Sequence, residues 1–495
     1  MLLNEAIGCN NSPLNRGAEP MRYLHALLTI ASIQFFFCPA ASQEVRRFPL
    51  FSSINARSFV DALSNRAPGS AINFDVDAAS RMERPEPADS QTIVDVLVPG
   101  NANTRRRNLL IFDRSSLNSA VADYDTGQGG SVVSLDVFPD KHLDVQIVNK
   151  KTEKDGSVSI IGNIANSNGG TFVVNIMGNQ TRGTIRNGAD YFEFYPAPAD
   201  VIAPLAADVI TDPANTVVVD DIISNFPNEA DPTSPKDVKK RSGMVEDFDL
   251  EIDDTTITPA RIDVLVTFTN EASTAFGGDQ SAVQAIRNAI NETNLSLSNS
   301  SIQHTMNEVG IEKIDYIDSG DVQLDRDRVQ GKEDGFMDKV HETRNSIKAD
   351  VVALIVAKGL PYCGIAYIPE DVTLDYSEYA FMVVNAGCMT KNLSFAHEFG
   401  HLLGARHDRY VDATELAPFK TNHGVIFKCG DTYCRDIMAY SNYCSSVLNV
   451  SACPRNAVWS GPNWSDTAEI VPLEDKFSSN RRVMRVMGGV VSKYR

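Results

Sequence analysis

The chain has 495 residues, with 64 acidic against 45 basic side chains, a net charge of −19 and 43% hydrophobic residues. That length accommodates two to four domains with a sizeable core, and the acidity argues against nucleic acid or anionic lipid as a partner. Past the N-terminus no stretch approaches the ~18 consecutive apolar residues of a membrane span, so no stable membrane insertion is expected. The same acidity favours solubility without a partner, and a monomer is expected.

In chain order, residues 1–42 read as an N-terminal extension and a signal peptide. Met21-Arg22, the apolar run from Leu24 to Phe37 and the small residues Ala40-Ala41-Ser42 form the basic start, apolar centre and exit of an export signal at about 21–42. Secretion is therefore expected. Residues 43–224 read as a β-rich domain. Runs at Ile93–Val98, Asn108–Phe112, Val132–Val137, Ser157–Ile161, Thr171–Ile176 and Tyr191–Tyr195 predict an antiparallel sheet or sandwich with no collection of catalytic residue types. Residues 225–258 read as a linker. It carries three prolines, the basic triplet Lys239-Lys240-Arg241 as a processing site, and an acidic run at 246–254.

From residue 259 to 495 strands and helices alternate, which predicts an α/β or α+β domain. Strands are expected at Ile262–Phe268, Ile311–Ile317, Val351–Val356, Gly364–Ile368 and Ala380–Val384, and helices at Asp279–Leu297, Asp334–Ile347 and about 475–494. Six of the eight cysteines fall between 363 and 453. In an exported chain they predict three disulfides, with sequence-local pairing 363–388, 429–434 and 444–453 preferred among fifteen connectivities. A metal site using Cys429 and Cys434 is the competing reading.

The chemistry is concentrated in His397-Glu398-Phe399-Gly400-His401-Leu402-Leu403-Gly404-Ala405-Arg406-His407-Asp408. On a helix over about 392–403, His397 and His401 lie one turn apart on one face, so both imidazoles reach one ion. Gly404 allows the chain to leave the helix and return His407 to the same point. Three imidazoles predict one catalytic Zn2+ with an open fourth position, and Glu398 is the general base. His142, His304, His341 and His423 lack partners at ligand spacing and read as packing or surface residues.

The HExxHxxGxxH string, followed by Met438 in Asp436-Ile437-Met438-Ala439-Tyr440, resembles the metzincin zinc endopeptidases. Asp408 is similar to the reprolysin or adamalysin branch, and Tyr440 to astacins and serralysins. Cys453-Pro454-Arg455 with Trp459-Ser460-Gly461-Pro462 resembles the bacterial peptidyl-Asp metalloendopeptidases. The resemblance implies a metzincin catalytic domain: a mixed twisted sheet, the HExxH helix beneath it, a loop-rich lower half, and Met438 in a Met-turn under the metal. It also implies protein or peptide substrates, Tyr440 as a hydrogen-bond donor to the reacting carbonyl, and the β-rich region as the propeptide of a zymogen. No cysteine lies between 39 and 362, so latency by a thiolate is not available. Blocking of the cleft, a carboxylate at the metal and delayed folding are the remaining routes. The alternative from another class is a catalytically inactive adhesion or binding protein on a metalloprotease scaffold, against which the presence of Glu398 argues.

Overall fold

The structure is a computed structural model and describes residues 46–53, 104–127, 132–167, 169–197, 216–222, 226–233, 235, 257–359, 361–414, 420–429, 431–451, 453–461, 470–471 and 478–495. The export signal, the strand expected at Ile93–Val98, the basic triplet and the acidic run lie outside the described residues.

Ten strands form one sheet in the first half: β1 (Arg47–Pro49), β2 (Phe51–Ser53), β3 (Thr104–Phe112), β4 (Val132–Phe138), β5 (Lys141–Thr152), β6 (Val158–Ile164), β7 (Thr171–Met177), β8 (Gln180–Asn187), β9 (Asp190–Pro196) and β10 (Thr216–Ile222). Their order, β1-β4-β5-β6-β7-β8-β9-β10-β3-β2, places β1 and β2 at opposite ends. Only Leu50 separates those two strands. Its N–H donates to the Ser134 carbonyl and its own carbonyl accepts from Asp113 N–H, so the two edges meet and the sheet closes on itself. The interior holds Phe112, Phe172, Phe192 and Phe194 among aliphatic side chains. Gly183 makes room there, because a Cβ would sit 2.1 Å from the Phe194 ring. A helix that the sequence pattern does not announce, α1 (Arg114–Asp125), is capped by the Asp113 carboxylate and packs Leu117, Ala120 and Val121 into this core.

The second half is built on five strands, β11 (Arg261–Phe268), β12 (Thr305–Lys313), β13 (Val351–Val356), β14 (Gly364–Ala366) and β15 (Phe381–Asn385), ordered β12-β11-β13-β15-β14. All neighbours run parallel except β14, which pairs antiparallel to β15 at the edge. β13 is buried along its whole length, the reason for its unbroken apolar run. Helices α2 (Asn270–Phe276), α3 (Asp279–Asn299), α4 (Val322–Gln330) and α5 (Asp338–Ile347) connect these strands, and α6 (Ser394–Leu402) follows β15. After it come the hairpin β16 (Ile426–Cys429) and β17 (Thr432–Arg435), the short helix α7 (Asn442–Ser446), β18 (Ile470–Val471) and α8 (Asn480–Val491).

Two boundaries correct the sequence reading. The strand expected at Ile311–Ile317 is β12, Thr305–Lys313, an outer strand on which only Met306 is fully buried, so its apolar pattern is weak. The helix expected from Asp334 starts at Asp338. The cysteines pair locally, 363 with 388, 429 with 434 and 444 with 453, which removes the Cys429/Cys434 metal site.

The closed sheet rests on α3 mainly through polar groups. Thr184 Oγ1 donates to Glu292 Oε1 at 2.9 Å, and Arg287 donates from Nη1 to Asp155 Oδ2 and Ser157 Oγ, both at 2.7 Å. Ile161, Val173 and Leu295 form a small apolar cluster at the same contact.

Candidate active site

Helix α6 carries His397 and His401 on one face, and both are fully buried. Gly400 lies between them although glycine weakens a helix interior. A Cβ there would meet the Trp459 ring at 2.6 Å and Met438 Sδ at 2.8 Å, so the glycine lets both side chains pack directly under the helix. At Gly404 the backbone takes φ +79° and the helix ends. Any Cβ at that position would also strike Val483 on α8 at 2.8 Å. The turn brings His407 back over the helix.

The three imidazoles converge. His407 Nε2 lies 3.2 Å from His397 Nε2 and 3.1 Å from His401 Nε2. His397 Nδ1 donates to the Ile437 carbonyl and His401 Nδ1 to the Ala405 carbonyl, each at 2.8 Å. With those protons on Nδ1, the two Nε2 atoms face the centre with lone pairs and cannot bond to each other. Burial keeps the rings neutral: His397 is pulled down to about 4 and the other two well below their ordinary value. Tetrahedral coordination at Zn–N distances of ~2.0–2.1 Å separates ligand nitrogens by roughly 3.3–3.4 Å. The triad therefore fits one metal ion, and it is the one cluster of this kind among the described residues.

Glu398 is fully buried, and neither carboxylate oxygen has a hydrogen-bond partner among the described residues. Burial, with Glu229 nearby, raises its pKa well above the ordinary value. Gly364 on β14 leaves it space, since a Cβ there would lie 2.6 Å from Glu398 Oε1.

Met438 is buried beneath α6, and its turn is held by Asp436. Oδ1 of that residue accepts from Met438 N–H at 3.1 Å and Ala439 N–H at 2.8 Å, and Oδ2 from Ser460 N–H at 3.0 Å. Asp408 ties this turn to the third histidine, since its Oδ2 accepts from Tyr440 N–H at 2.8 Å. The Tyr440 ring lies 4.1 Å from that of His407, and its hydroxyl donates to the Glu229 carbonyl at 2.7 Å. Burial, with Glu229 and Glu398, keeps the phenol protonated.

The other histidines stand apart. His423 Nδ1 bonds to the His407 carbonyl at 2.9 Å and Nε2 to the Thr414 carbonyl at 3.1 Å. His304 and His341 bond to the backbone carbonyls of Arg485 and Gly331, and His142 pairs with Asp136.

Sequence reasoning missed a second buried group beside the triad. Residues 226–233, read as exposed linker, lie along β14, and Glu229 is inserted next to α6. Its Oε2 is 4.0 Å from His397 Nε2. Its carboxylate accepts from Arg455 Nη1 at 2.6 Å, Arg455 Nη2 at 3.0 Å, Ser394 Oγ at 2.6 Å and Asn392 Nδ2 at 3.1 Å. Arg455 stands out in the sequence only as part of the Cys453-Pro454-Arg455 string, and nothing in the local sequence marks Glu229.

Residues 258–453 match the family model Reprolysin_5 of metallopeptidase family M12. This region is therefore similar to reprolysin-like metallopeptidases. The chain is 36% identical over 241 residues to a peptidyl-Asp metalloendopeptidase of Stenotrophomonas maltophilia (strain K279a), covering 48% of this chain and 54% of the relative. It is 38% identical over 229 residues to a peptidyl-Asp metalloendopeptidase of Xanthomonas campestris pv. campestris, covering 46% and 50%. The chain thus spans about half the length of the curated relatives it matches. Metalloproteinase-II from Bacteroides fragilis is similar at 12% identity, with a TM-score of 0.36 over 56% of this chain and 82% of that one.

Proposed function

We propose that the protein is a secreted zinc endopeptidase that hydrolyses internal peptide bonds with Glu398 as general base. The observation that carries this reading is the convergence of three imidazole nitrogens, two of them within 3.2 Å of His407 Nε2 and all within 4.8 Å of one another, beside an unpaired, buried carboxylate. Zinc held by His397, His401 and His407 supplies Lewis-acid polarisation of the scissile carbonyl and activates water near neutral pH. Glu398 Oε then takes the proton of the attacking water and delivers it to the leaving nitrogen. Tyr440 Oη donates to the carbonyl oxygen as negative charge develops there. β14, with one edge unpaired by the rest of its sheet, aligns an extended peptide by main-chain hydrogen bonds.

The names of the relatives bring cleavage beside aspartate as the preference. The three disulfides, together with the absence of any helix among the described residues long and apolar enough to cross a membrane, support an extracellular site of action. The test is casein hydrolysis by the chain after limited trypsin treatment at the 239–241 triplet. Activity is expected to vanish on chelation and return with one equivalent of zinc. Activity indifferent to chelation would refute the reading, and a metal-loaded, folded chain without hydrolysis would favour the inactive binding scaffold.

A further inference from the structure

Segment 226–233 occupies β14 much as a bound peptide does. Cys363 N–H donates to the Asn228 carbonyl at 3.1 Å, Ala230 N–H to the Gly364 carbonyl at 2.8 Å, and Ile368 N–H to the Thr233 carbonyl at 3.1 Å. Thr233 pairs parallel with Tyr367. Between these main-chain contacts the Glu229 carbonyl accepts the Tyr440 hydroxyl, and the Glu229 side chain turns into a buried pocket lined by Arg455, Ser394 and Asn392.

The groups bonded to that carboxylate among the described residues all lie in the second half of the chain. Arg455 meets the carboxylate with both terminal nitrogens, the fork geometry in which guanidinium reads a carboxylate. Ser394 and Asn392 supply two further donors. Arg435 holds Asn392 in turn, donating from Nη2 to its Oδ1 at 3.2 Å. Arg455 is 2% exposed, so without a carboxylate its buried charge would lack an anionic partner. A pocket of this kind, open to the peptide track and adjoining the histidine triad, requires an acid from whatever peptide lies in the cleft.

Resting on the endopeptidase reading, we propose that Arg455, Ser394 and Asn392 form the specificity pocket for an acidic side chain beside the scissile bond, and that Glu229 fills it from within the chain as an internal competitor. The linker thereby blocks substrate without a cysteine. Release of segment 226–233 frees the peptide track and the pocket together.

The test uses the zinc-loaded full chain carrying Glu229→Ala, which vacates the pocket. Two fluorescent peptides copying residues 226–233, with Glu or Gln at the position of Glu229, are titrated against it. The Glu peptide is expected to bind at least ~10-fold more tightly, as loss of a charge-assisted bidentate bond implies. Adding Arg455→Gln should bring the ratio near one. Ser394→Ala, which leaves the guanidinium in place, should lower the ratio severalfold and carries the test if Arg455→Gln does not fold. Equal binding of the two peptides by the Glu229→Ala chain would overturn the pocket, as would a ratio unchanged in folded Arg455→Gln or Ser394→Ala. Hydrolysis of matched Asp and Asn peptides separates the two readings. Equal cleavage of both keeps the endopeptidase and removes the pocket, whereas selective binding of the acidic peptide with no cleavage keeps the pocket and removes the endopeptidase. The Glu229→Ala chain should also cleave the Asp peptide at least ~10-fold faster than the unaltered chain, and equal rates would refute the internal competitor.

Discussion

Two buried polar clusters adjoin each other below β14 and are completed in opposite ways. Around Glu229 both carboxylate oxygens are bonded, by Arg455, Ser394 and Asn392. Around Glu398 neither oxygen is bonded among the described residues, and His407 Nε2 lies 3.2 and 3.1 Å from the Nε2 atoms of His397 and His401. A buried polar atom left unpaired costs about 1–3 kcal/mol. The first cluster therefore carries little of that cost, whereas the second keeps it, as expected of the proposed site for an ion, a water and a peptide. The pair sets an unsaturated buried carboxylate beside one saturated by the chain itself.

The largest change should come from removing a nitrogen of the open cluster. His407→Ala should weaken zinc retention by more than the ~10–100-fold that follows loss of a supporting partner, while His423→Ala, whose ring bonds to the carbonyls of His407 and Thr414 and not to an imidazole of the triad, should stay within that range. Metal content after dialysis against graded chelator separates the two, and equal loss would mean that the third ligand is misassigned. A smaller effect is expected at Tyr440, which bridges the clusters. Tyr440→Phe should lower kcat by ~10–100-fold with little change in KM, the signature of a bond formed in the transition state. A change confined to KM would instead assign the hydroxyl to peptide binding.

The smallest effect concerns the contact between the closed sheet and α3. Glu292 is fully buried against Thr184, and burial raises its pKa to about 7. Its protonated form is favoured in the folded chain, so its contribution is complete below the unfolded value near 4.3 and is lost as pH rises through about 7. The loss is at most ~4 kcal/mol over that window. The thermal unfolding midpoint should fall between pH 5 and 7.5, and Glu292→Gln should flatten that slope. An unchanged slope in the variant would remove Glu292 as its source.

What could be read from the sequence follows the distance over which each feature is assembled. His397, His401, Gly404 and His407 fall within eleven residues, so spacing alone places them. Arg455 and Glu229 are 226 positions apart and meet only through the tertiary fold. Gly364 and Gly400 are explained only by what packs against them. The same rule holds among strands. β4 and β7 show apolar runs because they line a core, whereas β8 has one aliphatic side chain, Ile185, and turns Thr184 to α3 and Arg186 to the loop before α6. Burial of a strand's outer face in a polar contact removes the alternation by which strands are recognised.

The central claim is tested most directly by Glu398→Gln, an exchange that removes the base and retains the shape of the side chain. The variant and the unaltered chain, both given the same trypsin treatment, are compared for bound zinc and for peptide hydrolysis. One zinc per chain is expected in each, with a fall in kcat of ~10²–10⁴-fold in the variant. Turnover close to that of the unaltered chain, with zinc retained, would contradict it.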